Sequence, residues 1–309
     1  MKPVYMINGF LESGKSEFIK YTLAQPYFQI KGKTLLFLCE EGEVEFDSEI
    51  LRQSKTEIEV IDEEGDFNAG HLAELEKKHN AERIIIEFNG MWNPKDIKLP
   101  FFWNVEQQIT IINAVTFPTY YTNMRSLLAE QIRKSEMIIF NRCDGIEDLG
   151  SYKRNIKAVN PSADVIFEDS NGEIDEIFEE DLPYDLNQDV IELDNQGYGI
   201  FYLDAMDHLE RYIGKKLRFT AMVLKPESFP KGYFVPGRMA MTCCAEDMAF
   251  LGYACEYQGA EQLTQKEWVQ VTATVSKEYW ADYKGEGPIL HAVSVEKTKA
   301  PKEEIISFA

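Results

Sequence analysis

The stretch Asn8-Gly9-Phe10-Leu11-Glu12-Ser13-Gly14-Lys15-Ser16 constrains this chain more than any other. It follows the apolar run "VYMIN" (4–8) and opens the helical pattern "GKSEFIKYTLA" (14–24). Gly9 and Gly14 carry the spacing of a phosphate-cradling loop, in which consecutive backbone N–H groups turn inward around an anion. Lys15 is placed to reach terminal phosphates and the Ser16 hydroxyl to ligate magnesium. Taken alone the spacing also fits a glycine-rich turn, but strand, loop and helix in that order are what the phosphate mechanism requires. Glu12 stands out, because it puts a negative charge where phosphate oxygens would lie. It must point outward, engage magnesium or a lysine, or weaken the site. The phosphate-binding donors are backbone groups that a side chain does not remove, so the loop is expected to bind nucleotide.

The rest of the first half repeats the same alternation. Apolar, β-branched runs occur at 34–39, 57–62, 83–88, 108–115, 137–142 and 164–169, separated by longer helical patterns. Several lack polar alternation, as strands buried on both faces do, which predicts a parallel sheet covered by helices. The acidic segment 168–189, with a proline and no strand pattern, ends this half, and the boundary is placed between 187 and 188. Beyond it, short strand-like runs divided by Gly, Pro and charged turns, with one helical pattern at 202–213, predict a small OB-like β-barrel. The fold class is therefore an α/β parallel-sheet P-loop domain (1–187) followed by a small β-barrel (188–309). A chain of 309 residues can bury a core in each.

Composition excludes several roles. A net charge of −21 opposes a polyanionic ligand, so nucleic acid is not expected as a partner. No apolar run approaches the roughly 18 to 20 residues that span a bilayer, and the N-terminus has no secretory pattern. A cytoplasmic protein without membrane insertion is expected. The five cysteines have no framework spacing and are taken as reduced thiols.

Two further segments carry chemistry. In "IIFNRCD", Asn141 and Asp144 follow a strand, where an amide can meet guanine O6 or N7 and a carboxylate can accept from its N1 and N2 hydrogens. In "IIIEFNG", Glu87 ends another strand and is suited to magnesium, and Gly90 to close approach of a terminal phosphate. No residue marks itself as an activating arginine or as the group that positions water, so the catalytic residues stay unassigned.

The ordered set "NGFLESGKSEFI", "CEEGEVEFDSEIL", "RIIIEFNGMWNP", "TIINAVTF", "AEQIRKSEMIIFNRCDGI" and "VNPSADVI" resembles the CobW branch of the CobW/UreG/HypB P-loop GTPases over residues 3–169. The resemblance implies GTP and GDP with magnesium, slow hydrolysis and a link to metal homeostasis. It places Lys15 and Ser16 in the phosphate loop, Glu41 and Asp47 in the first switch, Glu87 beside magnesium, and Asn141 and Asp144 at the base. The chain also departs from that pattern. The Cys-x-Cys-Cys metal motif usual after the first switch is missing from 47–61, Arg142 replaces the lysine of the base motif, and Asn89 and Asn113 replace a small hydroxyl residue and an aspartate. These changes suggest altered switching.

Residues 189–309 resemble the C-terminal domain of the YcgQ-like proteins, partners of a predicted membrane permease, through Arg238, Thr242, Cys243, Cys244, Ala245 and Asp247. That implies a partnership with a permease or a metal-handling protein. Adjacent cysteines on a strand face opposite ways, so a zinc site at Cys243 and Cys244 would need other ligands, among them Asp247, Cys255 or His291. Core cysteine is the plainer alternative. Three functions follow as expectations: a slow GTPase coupled to a partner, a non-hydrolysing nucleotide-binding adaptor, and a metal chaperone built on the paired cysteines.

Overall fold

The structure, a computed structural model, describes residues 1–40, 46–174, 182–241 and 247–307. The chain divides into two compact units, Met1–Ile177 and Phe178–Ala309. Tyr184 and Leu186 already pack against the core of the second unit, ahead of residue 188.

In chain order the first unit contains β1 (Lys2–Asn8), α1 (Lys15–Ala24), β2 (Thr34–Leu38), α2 (Ser48–Gln53), β3 (Thr56–Val60), α3 (Ala69–His79) and β4 (Arg83–Glu87). It continues with β5 (Trp103–Asn113), α4 (Phe117–Asn123), α5 (Arg125–Ile132), β6 (Met137–Asn141), α6 (Leu149–Val159), β7 (Asp164–Asp169) and β8 (Gly172–Glu173). The strands form one eight-stranded sheet in the order β3-β2-β4-β1-β5-β6-β7-β8, parallel except for the last pair. The period of two along a strand explains why the apolar runs are unbroken. Leu35, Phe37, Ile84 and Ile86 join Leu72 of α3 on one face, while Leu36 and Ile85 join Ile19 and Leu23 of α1 on the other. Each run thus feeds two cores. A third cluster seats Phe117, Leu128 and Ile156 on Ile138 and Phe140.

One strand start differs from expectation. β5 starts at Trp103 rather than 108, because its polar first residues pair with β1 across a register shift at Val4/Tyr5 and stay largely exposed. His79, at the end of α3, is tucked between the carboxylates of Glu57 and Glu59 on β3, which raise the imidazole pKa.

The second unit contains β9 (Ile191–Leu193), α7 (Asn195–Asp207), β10 (Lys216–Leu224), β11 (Tyr233–Met241), β12 (Met248–Gly252) and β13 (Cys255–Glu256). It ends with β14 (Trp268–Trp280), β15 (Gly285–Lys297) and β16 (Ile305–Ser307). α7 starts seven residues earlier than its sequence pattern (202 against 195), because Asp194 caps it by accepting from the Gly197 N–H at 2.7 Å. Gly197 and Gly199 in its first turns hide the helix from a propensity reading. The unit is mostly strand, and its pairings close a cycle, β10–β14–β15–β13–β11–β10. Phe219, Phe234, Val271, Val275 and Leu290 fill its core, with Tyr198 and Phe201 of α7. Phe234 and Tyr253 are buried in that core. Among the described residues no helix is long and apolar enough to cross a membrane.

Candidate nucleotide-binding site

β1 lies between β4 and β5, with helices returning to either side, so its carboxyl end is where the sheet can admit a ligand. The loop after β1 fills that place. Gly9 has φ 141°, and a Cβ there would lie 2.3 Å from the Ile111 carbonyl oxygen, so only glycine lets the loop pass β5. Gly14, at φ 99°, is the residue from which α1 starts.

Lys15 is 3% exposed. Its Nζ donates to the carbonyls of Gly9 (2.9 Å) and Phe10 (3.0 Å) and to Glu40 Oε2 (2.5 Å). Ser16 Oγ donates to Glu87 Oε1 at 2.7 Å. Glu87 is 3% exposed, and burial raises its carboxyl pKa against the opposing pull of Ser16 and Lys15. Its Oε2 is buried without a hydrogen-bond partner among the described residues. A hydroxyl and a carboxylate with an unmatched oxygen make an oxygen donor set suited to a hard divalent cation such as magnesium.

At the end of β6, Asn141 Nδ2 donates to the Ser13 carbonyl at 2.8 Å, tying the end of β6 to the loop after β1, and its Oδ1 is left without a partner among the described residues. Arg142 follows with φ 57° and donates from Nη1 to the Glu12 carbonyl at 2.9 Å. Asp144 Oδ1 accepts from Ser170 N (3.2 Å) and Oγ (2.6 Å), bonds that hold its carboxyl below the usual carboxylate range. Cys143, between them, faces the core, and burial pushes its thiol up to about 11. Asn141, Arg142 and Asp144 line a cavity of about 510 Å³ with Gly14, Phe18 and Ser170. Among the described residues, buried polar atoms without partners occur around the loop at Asn8 Oδ1, Ser13 Oγ, Glu87 Oε2, Gln131 Oε1 and Asn141 Oδ1, and elsewhere at Trp103 Nε1, Arg125 Nε, Arg238 Nε and Trp280 Nε1. Native proteins leave few buried polar atoms unmatched, and a bound ion, water or ligand is one explanation where they do.

Glu12 is exposed, with φ 58°, and its main chain is held by Arg142. Of the three alternatives for Glu12, the outward one matches this placement. Asn113 and Asn89 act on the main chain: Asn113 Oδ1 accepts from Val115 N at 3.0 Å, and Asn89 Nδ2 donates to the Cys39 carbonyl at 2.8 Å. Glu41 lies outside the described residues, while Asp47 caps α2.

A family model for the CobW/HypB/UreG nucleotide-binding domain matches residues 3–167. The chain belongs to the CobW/HypB/UreG family. A model for the DUF1980 C-terminal domain matches residues 170–306. Among solved structures the chain is similar to the hydrogenase maturation factor HypB from Archaeoglobus fulgidus, at 20% identity and TM-score 0.43, over 55% of this chain and 82% of that one. It is also similar to Zn(II)-bound YjiA GTPase from E. coli, at 18% identity and TM-score 0.40, over 81% and 94% of the two chains. HypB from Helicobacter pylori in complex with nickel matches at 15% identity and TM-score 0.37, over 54% and 80%. No curated protein matches the chain.

Cys243 and Cys244 lie outside the described residues. Of the co-ligands offered for them, Cys255 and His291 do not come together. Cys255 is buried in the core, its thiol pKa raised by that burial, whereas the neighbouring register pair Glu256 and His291 faces the other way. His291 instead bridges Glu256 (2.8 Å) and Glu278 (2.6 Å). Among the described residues no group of three or more His, Cys, Asp or Glu side chains could hold a metal ion.

Sequence reasoning placed Glu40 within a switch segment, 40–50, without singling it out, and missed Ser170. Each follows the end of a strand by two residues or fewer, the one signal that would have singled them out.

Proposed function

We propose that the first unit of this CobW/HypB/UreG-family chain is a guanine-nucleotide-binding switch with slow GTP hydrolysis. The observation that supports this reading is one juxtaposition: Asn141 and Asp144 share a cavity with Gly14, the residue that immediately precedes Lys15 and Ser16 at the start of α1. Gly9, Gly14, Lys15 and Ser16 would hold the phosphates. Asn141 and the ionised Asp144 would read guanine, whose N1 and N2 hydrogens call for an acceptor that adenine would not satisfy. Ser16 and Glu87 would hold magnesium, which when bound neutralises charge on the phosphates. No residue is assigned to activating water.

We further infer that the second unit is an OB-like barrel that engages a protein partner, a permease or a metal-handling protein. The cyclic pairing of five strands supports the barrel, and the net charge of −21 disfavours nucleic acid as the ligand. A zinc role for Cys243 and Cys244 belongs with this unit, and delivery through the family's usual cysteine motif is not part of the reading, since 47–61 contains no cysteine.

The deciding experiment is calorimetric titration of nucleotide-stripped protein with GTP, GDP and ATP in magnesium, beside the Asp144→Ala variant. Guanine nucleotides should bind at least about tenfold more tightly than ATP, with the preference lost in the variant, since one base-specific pair contributes about 1–3 kcal/mol. Equal binding of ATP would remove the guanine assignment. Binding of no nucleotide would remove the site.

A further inference from the structure

Two donors are placed to meet a terminal phosphate if the nucleotide reading holds: Lys15 Nζ and the Gly90 N–H. Gly90 lies against the phosphate loop so closely that a Cβ there would sit 2.5 Å from the Gly9 carbonyl oxygen. Both donors are engaged by a single side chain. Glu40 accepts from Lys15 through Oε2 at 2.5 Å and from Gly90 N through Oε1 at 3.4 Å.

An ammonium group has three N–H donors. Those of Lys15 face three acceptors: the carbonyls of Gly9 and Phe10, and the Glu40 carboxylate. The lysine is therefore saturated. A phosphate oxygen can reach it only by replacing one of the three. The two carbonyls belong to the phosphate loop itself, whereas Glu40 comes from the end of β2. Glu40 is the replaceable partner. Its side chain is only 11% exposed, so the pair is shielded from solvent and a second anion beside it would be strongly disfavoured.

We propose that Glu40 is a built-in stand-in for the terminal phosphate, an autoinhibitory carboxylate that a nucleoside triphosphate must displace and a diphosphate need not. The proposal rests on the nucleotide reading and adds regulation to it. Glu40 sets the preference between the two ligands: the resting protein favours the diphosphate, and entry of the triphosphate is registered as release of Glu40 from Lys15 and Gly90.

The test compares the full chain with Glu40→Gln, which keeps the size and removes the charge, by titration with GDP and with a non-hydrolysable GTP analogue in magnesium. The unsubstituted chain should bind GDP more tightly than the analogue. Glu40→Gln should raise affinity for the analogue by roughly tenfold, with GDP affinity changed by less than about twofold, the size of one charge-assisted bond no longer competing. Glu40→Ser, which removes the competitor altogether, should do the same, and circular dichroism confirms that either variant is folded. Equal shifts for both ligands, no shift, or a loss of analogue affinity would overturn the proposal while leaving the nucleotide site standing. Failure of all forms to bind any guanine nucleotide would overturn the site reading and the proposal together.

Discussion

Replacing Glu87 by glutamine should separate stability from function. Glu87 is 3% exposed, its Oε1 is bonded to Ser16 at 2.7 Å, and its Oε2 is buried without a partner among the described residues. Leaving a buried polar atom unmatched costs about 1–3 kcal/mol, and more when the group is charged. Glutamine preserves the shape and the bond from Ser16 while making the unmatched atom neutral, so roughly 1 kcal/mol of stability should be gained near neutral pH. For a unit of this size that corresponds to a rise in Tm of about 2–4 °C. The pH dependence has a definite sign. Burial holds the folded-state pKa of Glu87 above its unfolded value. The wild-type unit is then fully stable with respect to this group below the unfolded pKa and loses stability as pH rises through the folded one. Glutamine does not titrate, so the Tm difference should be small near pH ~5 and widen toward pH ~8. Nucleotide affinity should move the opposite way, falling at least about tenfold in magnesium, because a neutral amide is a poor ligand for a hard cation. Nucleotide-free thermal unfolding at the two pH values, with magnesium-dependent titration calorimetry, measures both. A lowered Tm at the alkaline end, or unchanged magnesium dependence, would refute the reasoning.

The close approach of Gly90 to the phosphate loop predicts that Gly90→Ala, whose Cβ would meet the Gly9 oxygen at 2.5 Å and the Phe10 Cα at 2.7 Å, destabilises the first unit by about 1–3 kcal/mol and weakens nucleotide binding. Gly65→Ala, with nothing within 4 Å of the added carbon, is the matched control, and equal behaviour of the two in denaturant titration would rule out the contact as the cause. For the second unit, protein purified without chelator should carry zinc in stoichiometric amount if Cys243 and Cys244 ligate it, and Cys243→Ser with Cys244→Ser should abolish that zinc. Elemental analysis showing no zinc, or zinc unaffected by the double substitution, would end the metal reading of these thiols.

What could be read from the sequence divides along a physical line. The strand, loop and helix that carry Lys15 and Ser16 were legible because they are local, lying within one continuous stretch, Lys2–Ala24. The strands of the sheet were legible for a similar reason, since double-sided burial leaves each as an unbroken apolar run. The start of α7 was not, because a side-chain cap at Asp194 overrides the poor propensity of Gly197 and Gly199. Glu40 and Ser170 were illegible for a different reason. Glu40 meets Lys15 because β4, beside β1, also pairs with β2, and Ser170 meets Asp144 because β7 pairs with β6. Strand order is a product of non-local pairing and leaves no periodicity in the chain. Yet the positions are systematic. Glu40 follows β2, Asn89 and Gly90 follow β4, Arg142 follows β6 and Ser170 follows β7, all at the carboxyl edge where a parallel sheet receives its ligand. On the proposed nucleotide reading, every polar residue just past a strand on that edge becomes a candidate for the site, and Glu40, an acid bonded to Lys15, is the one whose charge demands an explanation.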